Sequence, residues 1–304
     1  MGIFTLLFIA VFSSFSTPAP AVEPDYAWSR RWTDVSELES ILRQVPSGRA
    51  VLKAAEKKDP DFLSRLKLGS ASYTESTFSR TYSLIDGKEQ IGLRHEITLN
   101  QGLALSDAVV DLAHELVHFT EKGMLDPYRP GFELSQFIRN GIEGDGGELS
   151  ALAVECQVAW ALEAKFENFP PHGLCERYRQ SGNVFHRAAA RRDYYATGTW
   201  YRRSSDELRS AIPELSERKV VFTSSYAGKP YPLALAEEFG MTRRTACLNN
   251  RRKFRLIASQ SESGRRPASA ELLQERVRLK RYDQTFCRPV LDDDAAAVRL
   301  KVSD

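Results

Sequence analysis

The chain has 304 residues, of which 42% are hydrophobic, 27% charged and 10% aromatic. That is ordinary globular composition, enough for one large domain or two small ones, and it excludes a mainly disordered, collagenous or polytopic membrane protein. The formal charge of +2 conceals an asymmetry. Residues 1–152 hold 15 Lys+Arg against 21 Asp+Glu, and residues 153–304 hold 27 against 19. The basic half suits acidic surfaces or polymers, but no run of like charge is long enough to read as a nucleic-acid arm, so no nucleic-acid partner is expected.

Ile3 to Phe12 is apolar except for Thr5, and Ala19-Pro20-Ala21 follows a Ser/Thr/Pro stretch. Ten residues fall short of the ~20 that span a bilayer. The segment reads as a signal peptide over 1–21, although no Lys or Arg precedes the apolar run. The expectation is a periplasmic or secreted protein with no stable membrane insertion after cleavage. The four cysteines, Cys156, Cys175, Cys247 and Cys287, agree with an oxidising compartment. Pairing them locally, Cys156–Cys175 and Cys247–Cys287, closes the shorter loops. No C-x-x-C pair supports a zinc ribbon or a thioredoxin-like site.

In chain order, Ser36–Val45 and Arg49–Lys58 read as short helices parted by Pro46-Ser47-Gly48. Phe78–Leu84 has strand character, Asp86-Gly87 signals a hairpin, and Ile91–Leu99 returns with Ile91, Leu93, His95, Ile97 and Leu99 on its apolar face. Ser106 reads as the N-cap of a helix running to about Glu121, stopped by Gly123. A turn over Asp126-Pro127 to Gly131 and a short helix over Phe132–Ile138 follow. Gly141–Gly147 is a glycine loop, and a long helix runs from about Glu148 to Phe166. Helices are expected over Leu174–Tyr195 and Ser205–Leu215 and a strand over Lys219–Phe222, while Arg251–Ser259 and Leu272–Tyr282 are ambiguous.

The helix begun at Ser106 contains His114-Glu115-Leu116-Val117-His118. Histidines at i and i+4 lie one turn apart on one face, so both imidazoles can reach one metal ion. Glu115 lies about 100° round the helix, beside the ion rather than on it, where a carboxylate can take a proton from an attacking water. A tetrahedral zinc with one open position needs a third protein ligand. Glu121 and Met124 stand where the three-histidine version would need Gly and His, so carboxylates compete: Glu143, Asp145, Glu148 and Glu155. Glu143 and Asp145 lie in the glycine loop, whereas Glu148 opens a rigid helix and is the favoured ligand. Glu155, seven residues on, would orient a ligand histidine through its ring N–H.

This arrangement resembles the zincin metallopeptidases, and within them the gluzincin branch, over about Ile91–Phe166. The resemblance implies that Glu115 is the general base. It also implies that the strand before the active helix edges a cleft where an extended peptide pairs by backbone hydrogen bonds. Leu152 stands where an acidic residue often follows the ligand Glu. The expected fold is α+β: a mainly helical zincin-like region over 22–166, with a small antiparallel sheet before the metal helix. A basic C-terminal region over 167–304 completes the cleft or forms a second subdomain. The expected function is an exported zinc-dependent hydrolase, a metalloendopeptidase with a peptide or protein substrate. Alternatives are hydrolysis of a non-peptide or cell-wall amide, or zinc binding without catalysis. His172, His186, Tyr194 and Tyr195 are candidates for stabilising a transition-state oxyanion. His95 is expected in the core or the cleft wall. No Gly-x-Ser-x-Gly, phosphate loop or dinucleotide fingerprint occurs.

Overall fold

The computed structural model describes residues 26–83, 88–123, 125–129, 131–225, 227–262 and 270–288. The segment expected to be a signal peptide (1–21) and the expected hairpin turn at Asp86-Gly87 lie outside the described residues. The fold is α+β, with helices predominating around one three-stranded sheet and one two-stranded ribbon.

Helix α1 (Val35–Leu42) starts at Asp34, whose side chain accepts the Ser36 N–H, and it buries Leu38, Ile41 and Leu42. Helix α2 (Pro46–Lys58) begins at Pro46 itself. Pro46-Ser47-Gly48 is therefore the first helical turn rather than a break, because a missing N–H costs nothing at that position. Three strands follow: β1 (Lys67–Gly69), β2 (Tyr73–Tyr82) and β3 (Glu89–Asn100), in the order β1-β3-β2. β2 runs antiparallel to β3, with Thr74 opposite Ile97 and Phe78 opposite Leu93. β1 pairs in parallel with the last residues of β3. Its strand was not foreseen, being only three residues long.

Helix α3 (Leu105–Glu121) crosses this sheet and packs against α5 (Glu148–Lys165). Ser106 is not its cap. The helix starts one residue earlier, because the Leu105 and Ser106 N–H groups donate to the carbonyls of Arg30 and Trp28. Backbone acceptors from the preceding segment thus do the work expected of a side chain. Helix α4 (Leu134–Glu143) starts and ends later than the helix expected over Phe132–Ile138; it takes Gly141 and Glu143 into its last turn, so the glycine loop shrinks to Gly144–Gly147. Beyond α5, the helix expected over Leu174–Tyr195 is interrupted. Short α6 (Gly173–Arg177) gives way to a ribbon of β4 (Arg179–Gln180) and β5 (Val184–Phe185), and α7 (Arg187–Tyr194) follows. Gly182 and Asn183 turn that ribbon at φ 74° and 56°, a left-handed conformation suited to Gly and Asn.

Helix α8 (Asp206–Ala211) is capped by Ser205, which accepts the Leu208 N–H. Lys219–Phe222, expected to be a strand, has no regular secondary structure. The ambiguous segments are both helical, in α9 (Tyr231–Glu262) and α10 (Ala270–Tyr282). The main core runs from Trp28 to Phe222, with Tyr231, Leu233 and Leu235 packed on it. The α9–α10 hairpin has two small clusters of its own: Ile257, Leu272 and Leu279, and Cys247, Tyr282 and Cys287. Both expected disulfides, Cys156–Cys175 and Cys247–Cys287, are formed, with Cα separations of 5.0 and 5.4 Å. No helix among the described residues is long and apolar enough to cross a membrane.

Candidate metal centre

Helix α3 carries the two histidines on the face it turns to α5. The Nε2 atoms of His114 and His118 lie 3.1 Å apart. Glu148, in the first turn of α5, places Oε2 at 3.5 Å from His114 Nε2 and Oε1 at 3.5 Å from His118 Nε2. The three residues form a group whose donor atoms all lie within 4.8 Å of one another, and which could hold a metal ion. Buried Glu148 Oε2 has no hydrogen-bond partner. A buried carboxylate oxygen without a donor is costly, and a cation would satisfy it.

Each histidine is turned by a contact on its other nitrogen. His118 Nδ1 lies 2.7 Å from the Gly146 carbonyl, which can only accept, so the ring donates from Nδ1 and leaves the Nε2 lone pair for a ligand. His114 Nδ1 lies 2.7 Å from Glu155 Oε2, the contact expected of Glu155. Gly146 reaches His118 because it has no side chain and sits at φ +62°. A Cβ there would stand 2.2 Å from the Lys122 nitrogen at the end of α3. The glycine loop thereby closes onto α3 and presents a carbonyl to the ring.

The competing carboxylates are accounted for. Glu143 pairs with Arg191 at 2.6 Å and accepts from the Tyr195 hydroxyl at 2.7 Å, turned away from the histidines. Asp145 is exposed. Glu155 touches His114 and lies 3.7 Å from His172 Nε2. Glu155, His172 and Cys175 also cluster, but the Cys175 sulfur is committed to its disulfide.

Glu115 is buried on the sheet side of α3, and the Thr74 hydroxyl donates to its Oε2 at 2.7 Å. Thr74 belongs to β2, and β3 is the central strand. The strand that edges the site is therefore β2, not the strand immediately before α3. On β3, Ile91 and Leu93 are 52% and 44% exposed, contrary to the expected half-buried face. The outer half of the hairpin projects past the main core; Tyr128 meets it at Phe78 and Arg80, and Lys253 of α9 meets it at Tyr82 and Glu89, leaving Ile91 and Leu93 exposed.

The electrostatics suit a cation. Burial raises the Glu115 carboxyl to about 8, partly opposed by the His114 charge and the Thr74 hydrogen bond. Burial would raise Glu148 as well, but in acid, where both His118 and His114 are protonated, their charges hold it at about 2. Burial lowers His118 to about 4, so it is neutral. His114 goes the other way: burial opposes its charge, yet Glu148 and Glu155 raise it well above its ordinary value.

The other aromatic and histidine candidates separate clearly. Tyr194 is buried, its hydroxyl 3.4 Å from the Glu148 carbonyl and its ring stacked 3.9 Å from Phe222. Tyr195 is spent on Glu143. His186 precedes α7 and has no contact with the metal group. His172 approaches Glu155 on the side away from the ligand nitrogens.

Sequence reasoning missed Tyr231, the first residue of α9, whose ring meets Tyr194 edge-on at 5.3 Å. Burial first, and then the charges of Glu148 and Glu115, raise its hydroxyl well above its ordinary value, so it stays a neutral donor. No protein-family model, curated protein or solved structure matches this chain. The Tyr-Pro pair that opens α9 was the only local signal for Tyr231, and a helix start does not by itself point to chemistry.

Proposed function

We propose that the chain is a zinc-dependent hydrolase of the gluzincin type, acting on peptide bonds, with His114, His118 and Glu148 as ligands. The observation that carries this reading is the convergence of two imidazole nitrogens and one carboxylate beside Glu115, the latter held by Thr74 of an edge strand. Two nitrogens and one oxygen are a donor set that zinc accepts, and the unpartnered Glu148 oxygen fits a cation. Among the described residues the group has three members, which favours a catalytic site with an open position over a closed structural one. When bound, zinc supplies Lewis acidity toward water and the scissile carbonyl.

The protein's own groups supply the rest. Glu115, in its ionised form, takes the proton of the attacking water and passes it to the leaving amine; a cation beside it favours that form over the protonated one that burial alone favours. Thr74 fixes the Glu115 carboxylate by its hydrogen bond. Tyr231 donates its hydroxyl proton in a hydrogen bond to the carbonyl oxygen as negative charge builds there. Glu155 and the Gly146 carbonyl hold the two rings in register. The outer edge of β2 offers backbone groups to an extended substrate.

Export to the periplasm or beyond agrees with the two disulfides. The deciding experiment is elemental analysis of purified protein beside hydrolysis of a mixed peptide library. Wild type should hold about one zinc and cleave, and His114→Ala should hold none and be inert. Full hydrolysis by metal-stripped protein would overturn the proposal.

A further inference from the structure

The basic C-terminal half has one surface that the metal centre does not use. From Phe239 to Ser261 the chain carries six Lys and Arg and no Asp or Glu, and all of it lies in α9. These charges divide by direction. On the inward side Arg251 pairs with Asp283 at 2.6 Å, and Lys253 pairs with Glu89 and Glu275, each at 2.6 Å. Arg252 and Arg255 are exposed on the other side.

Large apolar residues share that outer side. Met241, Leu248 and Leu256 are 59%, 50% and 46% exposed. In helical projection they fall with Arg252 and Arg255 inside an arc of roughly 100°. The opposite face holds Ala246, Cys247, Asn250 and Ile257, all buried. On α10, Leu273 and Val277 are also exposed, at 50% and 69%, beside exposed Lys280 and Arg281. Single exposed apolar residues are normal on any surface. Apolar residues aligned on one helix face with arginines, on a hairpin fastened by Cys247–Cys287, are not scattered.

We infer that the outer face of α9 docks this protein onto a bilayer surface containing anionic phospholipid. Arg252 and Arg255 meet the phosphate headgroups, and Met241, Leu248 and Leu256 enter the boundary between headgroups and acyl chains. An acidic polymer would be served by the charges alone and would leave three large apolar side chains in water. Because Tyr231 is the first residue of the same helix, docking would hold the candidate metal centre close to the surface. Binding of this kind requires neither the metal nor hydrolysis, so it succeeds or fails independently of the proposed reaction.

The test is co-sedimentation of the full chain with phosphatidylcholine vesicles, with and without phosphatidylglycerol. Binding should need the anionic lipid and weaken with salt. Each basic residue at such a surface contributes about fivefold, so Arg252→Glu with Arg255→Glu should weaken binding at least about twenty-five-fold. Replacing Met241, Leu248 and Leu256 together by Ser should weaken it about tenfold or more, since each loses apolar burial. All five positions are exposed, and unchanged circular dichroism will confirm that the variants fold. Equal binding to neutral vesicles, no binding to anionic vesicles, or a serine variant that binds as wild type would each overturn the inference. The last result, with heparin competing fully, would assign the face to acidic polymers instead.

Discussion

In the α3–α5 layer the titratable groups are inside. Glu115, His118, Glu148 and Glu155 are each less than a tenth exposed, and each answers to a named neighbour. In the α9–α10 hairpin the buried clusters are small and apolar, the ion pairs flank them, and Arg252 and Arg255 face outward. Burial in the first region costs stability, and the surrounding core of α1, α2 and the sheet offsets it. The second region has little core to spend and relies on a covalent tie and long-range charge.

The largest expected effect breaks the first region alone. Glu115→Gln keeps size and a hydrogen bond to Thr74 but cannot take a proton. Peptide hydrolysis should fall by about 10²–10⁴, with zinc content and fold unchanged. Near-wild-type turnover would remove Glu115 from the mechanism. The next effect is on the metal. Glu155→Ala frees the His114 ring and should weaken zinc binding about 10–100-fold, read by competition with a chelating dye. Apparent affinity should also rise with pH, because the metal must displace the proton that Glu148 and Glu155 favour on His114. A pH-independent affinity would contradict that proton inventory.

The same contrast explains what was legible in the sequence. His114, His118 and Glu148 were found because their signal is local: one helical turn for the histidines and a helix start for the glutamate. Glu155 followed from its place seven residues along the same helix, and the disulfides from closing short loops. Thr74 and Tyr231 were not found, because tertiary packing alone brings them to the site, from 41 residues before Glu115 and from the far side of α7 and α8. The Ser106 cap failed for the same reason: its orphan donors met backbone carbonyls from Arg30 and Trp28, a contact no window around Ser106 contains. The missed ribbon at Gly182-Asn183 is different. Its turn signal was present in the sequence, and a helical pattern in the flanking residues outweighed it.

The disulfides sharpen the comparison further. Cys156–Cys175 joins α5, which carries Glu148, to α6 across 19 residues. Replacing both by Ser should cost about 3 kcal/mol of global stability and loosen zinc, measured by urea unfolding and chelator competition. Cys247–Cys287 closes 40 residues and should matter more by loop length alone. It fastens a hairpin with little core, however, so its loss should open that hairpin locally. Proteolysis should then cut within 239–288 while zinc content and urea midpoint hardly change. Equal global losses from the two pairs would mean that the hairpin and the metal layer unfold as one unit.

The smallest effect is a pH dependence in the sheet that flanks the site. His95 on β3 faces inward, with Nδ1 2.8 Å from the Ser76 hydroxyl, its ring against Phe119, and Nε2 buried without a partner. Burial, helped by the positive charges of Lys58 and Lys122, lowers it to about 4. The unfolded chain takes up this proton near pH 6.5 and the folded protein only near 4. The stability that His95 contributes is therefore complete above 6.5 and is lost as pH falls toward 4. The ring is only half buried, so after discounting for solvent the loss should be on the order of 1 kcal/mol. His95→Gln cannot titrate and should flatten the fall in urea midpoint between pH 7 and pH 5, while leaving zinc content at pH 7 unchanged. An equally steep fall in that variant would place the acid sensitivity in the α3–α5 layer instead of the sheet.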